Sequence, residues 1–96
     1  MEAELKNCVT YTHDRVLLEE QRRRLAGGTV WYRIYFAGDA GYILEIVKGE
    51  ENKQIAIGSL AVASRSYYAL IGGSVSPCHF ADVMEELADE REWVEL

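Results

Sequence analysis

The 96-residue sequence is short of proline, cysteine, basic clusters and long apolar runs. A single proline, Pro77, excludes a proline-rich linker. Two cysteines, Cys8 and Cys78, are too few and too far apart for the disulfide framework of a small secreted domain. The longest uninterrupted apolar run, Tyr67 to Ile71, falls far below the ~20 residues that a membrane helix requires. The chain opens Met-Glu-Ala-Glu, without the basic and apolar segments of a secretory leader, so the expectation is a cytoplasmic protein with reduced thiols. The basic residues cluster only at Arg22-Arg23-Arg24, which reads as a solvated edge rather than a nucleic-acid footprint.

What is present is the composition of one ordinary globular domain, 49% hydrophobic and 27% charged. The net charge of -6 is placed unevenly. Acids and bases balance over residues 1–81, whereas Asp82, Glu85, Glu86, Asp89, Glu90, Glu92 and Glu95 face Arg91 alone over residues 82–96. A surface of that sign repels a phosphate backbone.

Glycine-rich breaks at Gly27-Gly28, Gly38 to Gly41 and Gly72-Gly73, with the charged stretch Lys48 to Lys53, divide the chain. Val30, Tyr32, Ile34 and Phe36 alternate with Trp31, Arg33 and Tyr35, the pattern of a strand with one apolar face. Tyr42 to Val47 repeats the period and pairs with it across a four-residue loop, and Gln54 to Ile57 supplies a short third strand. Residues 15–26 are ambiguous. Asp14 and Gly27 are placed to bound a helix, but the apolar residues bunch at Val16 to Leu18 and leave a thin stripe. A strand pairing across the glycines is the preferred reading. Residues 1–7 are expected to be loose.

The C-terminal third reads as helical over residues 64–92. A first helix, Arg65 to Ile71, is expected to start at Ser64 and stop at Gly72-Gly73. A second begins with Ser76 as N-cap and Pro77 at the first helical position, where its missing N–H costs nothing. Val75 and Phe80 have the spacing of a hydrophobic staple, and Phe80, Val83, Met84 and Leu87 form the buried stripe.

The segment Val75-Ser76-Pro77-Cys78-His79-Phe80-Ala81-Asp82-Val83-Met84-Glu85-Glu86 resembles the C-terminal V-S-P-x-H-L-x-D-V-[VI]-E-D motif of a family of short clostridial and other Firmicutes proteins, a domain of unknown function. Trp31-Tyr32-Arg33-Ile34 and Gly41-Tyr42-Ile43-Leu44 are similar to the strands that precede the motif there. Phe80, Met84 and Glu86 depart from the pattern. The resemblance implies an architecture and no activity, so no catalytic residue is carried over.

Ser76, His79 and Asp82 invite a catalytic reading, but a nucleophile needs a free hydroxyl, and Ser76 is expected to spend its own on the helix cap. Cys8, His13, Cys78 and His79 lack the ligand spacings of a structural zinc site. The acidic face is the feature with most to explain. Asp82 with Glu86, Glu85 with Asp89 and Glu86 with Glu90 are like-charge pairs four apart, and acids near a helix C-terminus oppose the macrodipole. On a continuing helix, Trp93 turns away from the buried stripe and becomes an exposed anchor.

The sequence therefore predicts a single α+β domain, an antiparallel β-meander of three to four strands over residues 15–57 packed against two C-terminal helices. Its predicted core is Tyr32, Ile34, Phe36, Leu44, Ile46, Ile55, Ile57, Leu70, Phe80, Val83, Met84 and Leu87. The function expected is a non-catalytic interaction module that presents Asp82, Glu85, Glu86, Asp89 and Trp93 to a basic protein. The alternative is a small-ligand or anion binder around Ser76 and His79 at the N-terminus of the Pro77 helix. No cofactor, metal, nucleic acid or membrane is implied, and the outward aromatics Trp31 and Tyr35 leave room for a homodimer as well as a monomer.

Overall fold

The computed structural model describes residues 15–96. Cys8, His13 and Asp14, and the expectation for residues 1–7, lie outside this range. Five strands form one antiparallel sheet in the order β1 (Val16–Leu25), β2 (Gly28–Phe36), β3 (Tyr42–Lys48), β4 (Glu51–Ile57) and β5 (Trp93–Glu95). Between β4 and β5 the chain makes two helices, α1 (Leu60–Gly72) and α2 (Phe80–Leu87). The architecture is α+β, with one strand more than the sequence predicts.

Residues 16–25 are a strand, because its thin apolar stripe cannot bury a helix whereas its backbone can pair with β2 over its whole length. A register shift between Leu17 and Glu19 marks a bulge near its start. The β3–β4 turn is tighter than the charged stretch Lys48 to Lys53 suggests. Lys48 pairs directly with Glu51, and Gly49 takes φ +60° at the first central position of the two-residue turn. Glu51, Asn52 and Lys53 thus belong to β4, exposed beyond the reach of the shorter β5.

Helix α1 begins earlier than Ser64, because Ser59 is the better cap: its hydroxyl accepts the Val62 amide at 3.3 Å. It ends in a Schellman arrangement. The Val75 and Ser74 amides donate to the Leu70 and Ile71 carbonyls, with Ser74 at φ 52° where glycine is usual. The C-terminal helix is shorter than expected. Pro77–His79 form a 3₁₀ turn, α2 stops at Leu87, and residues 89–92 turn back to deliver β5 to the edge of β4. The stop has a local cause. The Asp89 carboxylate accepts the Arg91 amide at 2.9 Å while Glu92 accepts the Asp89 amide at 2.9 Å, a pair of side-chain bonds that competes with helix.

One face of the sheet, carrying Val30, Tyr32, Ile34, Leu44, Ile46, Ile55 and Ile57, packs on Val62, Ala63, Tyr67, Leu70 and Ile71 of α1 and on Phe80 and Met84 of α2. Two tyrosines thread hydrogen bonds through this layer: Tyr67 donates to the Tyr32 carbonyl at 3.0 Å, and Tyr32 to that of Val75 at 2.8 Å. Burial pushes both phenols up from their ordinary pKa. Three expected core residues differ. Phe36 is 41% exposed at the sheet margin, tilted against Tyr42, and Val83 and Leu87 are only half-buried because α2 lies at the border of the core.

Two backbone positions give opposite stability predictions. Gly41, at φ +83°, would place an added Cβ 2.6 Å from the Ile57 carbonyl oxygen. Gly41→Ala should therefore cost about 2 kcal/mol or more, combining a forbidden backbone region with a clash. Ser74→Gly should stabilise by about 0.5 kcal/mol, because it relieves a left-handed conformation. Urea midpoints of the two variants, read at one temperature, check both signs.

Candidate functional site

The acidic C-terminal surface is assembled from three successive elements rather than one helix. Asp82, Glu85 and Glu86 are exposed on α2, whereas Asp89, Glu90 and Glu92 are exposed on the following turn and Glu95 on β5. The like-charge spacings that involve residues beyond Leu87 are thus spread over a turn, and Asp89 is held in a two-pronged ion pair with Arg91 at 3.1 and 3.2 Å. Hydrogen bonds from Arg91 hold its carboxyl below the usual range. All seven carboxylates face solvent. Arg65, whose guanidinium reaches the Leu87 carbonyl at 3.4 Å, caps the end of α2 with a cation.

Trp93 is not the exposed anchor that a continuing helix predicts. It pairs with Ile57 in the sheet, turns its indole onto the core, and is half-buried with no partner for its Nε1. The helix ends six residues before it, so rotation along α2 does not set its direction.

Ser76 and His79 lie together at the 3₁₀ turn, but the expected cap is absent. The Ser76 hydroxyl makes no cap bond and lies 3.3 Å from the exposed Cys78 thiol, while only its carbonyl holds the His79 amide, at 3.0 Å. His79 is exposed. The 3₁₀ geometry at Pro77 shifts the α2 start to Phe80, which moves Ser76 out of capping reach. Among the described residues no three His, Cys, Asp or Glu side chains converge to hold a metal ion, and no helix is long and apolar enough to cross a membrane.

The most extensive polar group among the described residues lies outside every candidate named from the sequence. Glu45 stands in the middle of the sheet, on the face turned away from α1 and α2, and is 5% exposed. Its Oε1 accepts from Arg33 at 3.1 Å and Tyr35 at 2.9 Å on β2. Its Oε2 accepts from Asn52 at 2.8 Å and Gln54 at 2.7 Å on β4. Arg33 continues to Glu20 on β1, and Arg15 stacks on Tyr35 and donates to Gln54 at 3.2 Å. The available signal was the acid itself, on one face with Ile43 and Val47 in a central strand, where an unpaired charge is not tolerated. Beside this group, Trp31 lies between the guanidiniums of Arg22 and Arg33, each 5.6 Å from its ring, at a surface cleft of about 640 Å³ lined also by Thr29, Val47 and Lys48.

Chemically, this arrangement holds charge rather than using it. Burial pushes the Glu45 carboxyl up, but hydrogen bonds from Gln54, Asn52, Tyr35 and Arg33 together outweigh it and leave the pKa below the ordinary 4.5. A depressed carboxyl contributes stability above its unfolded pKa and loses it as pH falls through the folded value. Glu45→Gln should therefore lose about 2–3 kcal/mol at neutral pH, because it removes the buried charge and turns an amide N–H2 toward donors that lose one of their two acceptor oxygens, while Arg33 keeps only Glu20. The deficit relative to the native chain should narrow below about pH 4, as denaturant midpoints measured across that range will show. Comparison of the chain with protein-family models, curated proteins and solved structures finds no match in any of the three.

Proposed function

We propose that the protein is a non-catalytic interaction module whose acidic C-terminal surface, centred on Asp82, Glu85, Glu86 and Asp89, engages a basic patch on another protein. One observation carries this reading: all seven carboxylates of residues 82–96 are exposed, on three successive elements, with Arg91 as the sole cation of that segment. Concentrated exposed charge of one sign steers association with surfaces of the opposite sign. Trp93 supports the surface from below by fastening β5 to the core, instead of contacting the partner.

Less supports the anion-binding alternative at Ser76 and His79. Both are accessible, but among the described residues the one side-chain bond there joins Ser76 to Cys78, and carboxylates of α2 lie on the next turn. The buried carboxylate Glu45 has every oxygen committed to structure, so it offers no general base.

The test is a charge reversal. Glu85→Lys with Glu86→Lys should leave the fold and its melting curve nearly unchanged, because both side chains are exposed. A partner recovered from the native cell at low salt should be lost on this exchange and weakened by added salt. Recovery undiminished by the double variant would remove the proposal.

A further inference from the structure

Strand β1 is ten residues long and forms one margin of the sheet; among the described residues nothing pairs with its outer edge. A long edge of this kind is a template for another strand, and proteins blunt it by shortening, proline, bulges or charged side chains. Here the strand is neither short nor interrupted by proline; it carries a bulge near its start and five charges, whose arrangement decides what can pair with it. The opposite margin, by contrast, is closed with the three-residue β5 and surrounded by carboxylates.

The sequence of β1, Val-Leu-Leu-Glu-Glu-Gln-Arg-Arg-Arg-Leu, is self-complementary in charge. Antiparallel pairing of two copies requires a two-fold axis normal to the sheet, and that axis passes through a residue facing its own counterpart. With the axis at Gln21, Glu20 stands opposite Arg22 of the second copy and Glu19 opposite Arg23, and the same two pairs recur on the other side. Moving the axis to Glu20 sets Glu20 against itself; moving it to Arg22 sets Arg22 against itself. Only the Gln21 register matches all four charges, and the bulge at Leu17–Glu19 lies at its margin.

The side chains are placed for this. Arg22, Arg23 and Glu20 are exposed, and Glu19 and Gln21 are half-exposed. Glu20 already meets Arg33 on its inner flank, so Arg22 of a second copy on its outer flank would extend one row of alternating charge, Arg33–Glu20–Arg22, across the junction. On the helix side, Glu19 accepts from Tyr68 at 2.7 Å and Gln21 at 2.6 Å, which holds it next to the edge. We infer that the occupant of the β1 edge is a second copy of this chain, joined antiparallel about Gln21 to make a continuous ten-stranded sheet. This goes beyond the acidic-surface reading and does not rest on it.

The experiment uses the full chain. Sedimentation at low salt should show a species of twice the 10.9 kDa chain mass, dissociating as salt is raised. Arg22→Glu with Arg23→Glu should give monomer, since each strand then sets acid against acid. Glu19→Arg with Glu20→Arg should also give monomer, and mixing the two variants should restore a dimer that contains one of each. A second measurement does not depend on charge reversal being tolerated: in a Cys8→Ser, Cys78→Ser background, Gln21→Cys should form an intermolecular disulfide under mild oxidation, whereas Arg24→Cys should not. A native chain that stays monomeric at low salt, mixed variants that ignore each other, or Gln21→Cys chains that fail to crosslink would each overturn the inference. So would open-ended oligomers, which would mean that β1 meets the acidic margin of a neighbour instead.

Discussion

The rest of the structure depends on one buried carboxylate. Glu45 sits in the central strand with 5% exposure, where an ionised group is tolerated only if its lone pairs are filled. Its donors come from both neighbouring strands, and they stand at fixed positions: Arg33 and Gln54 directly opposite, Tyr35 and Asn52 on the diagonals. A slip of one residue in either pairing would turn the donors to the other face and bring Tyr32 or Ile34, or Lys53 or Ile55, opposite the carboxylate. Apolar packing on the helix side accepts several near-equivalent arrangements of Val, Ile and Leu, whereas the polar group accepts one. Glu45 thus specifies the register that the hydrophobic face then exploits.

This explains which parts of the fold were legible in the sequence. Strands β2 and β3 were, because two-residue alternation is the direct signature of a half-buried strand and glycines mark the turn between them. The β4 boundary was missed by three residues, since Glu51, Asn52 and Lys53 look like a loop until Asn52 is seen to serve Glu45. The start of α1 was missed because two serines compete for the cap, and only packing of Val62 and Ala63 on the sheet chooses Ser59. Strand β1 was ambiguous for a physical reason: with Val16, Leu17 and Leu18 all about half-exposed, it buries little on either face, so its sequence carries almost no periodicity.

The C-terminal segment shows how a correct local argument extends too far. The stripe Phe80, Val83, Met84 and Leu87 does mark a helix, and Phe80 and Met84 are fully buried. Extending it to residue 92 took the unfavourable charge that the same acids impose on a helix C-terminus as a mark of function, when it instead ends the helix. Asp89 and Glu92 instead fold that stretch into a turn, and Trp93-Val94-Glu95 find hydrogen bonds on the β4 edge. The acidic surface survives this change because it never depended on a helical face. It depends on seven short side chains remaining in water, which a turn and an edge strand achieve as well as a helix.

The two margins of the sheet are consequently opposite in character. One carries Arg22, Arg23 and Arg24 on a long strand, the other carboxylates around a short one. Pairing at the basic margin through a two-fold axis normal to the sheet keeps the helices of both copies on the same side and leaves both acidic margins outermost. At about 4.8 Å between strands, nine intervals separate the two β5 strands by roughly 43 Å. On the two proposals made above, two carboxylate surfaces at that spacing would engage a repeated or extended basic partner simultaneously, and the second contact would then form at the effective concentration set by the rigid sheet. On that reading, an edge strand whose charges match those of a second copy would do more than bury an exposed margin: it would fix the distance between two salt-sensitive sites and let them act as one.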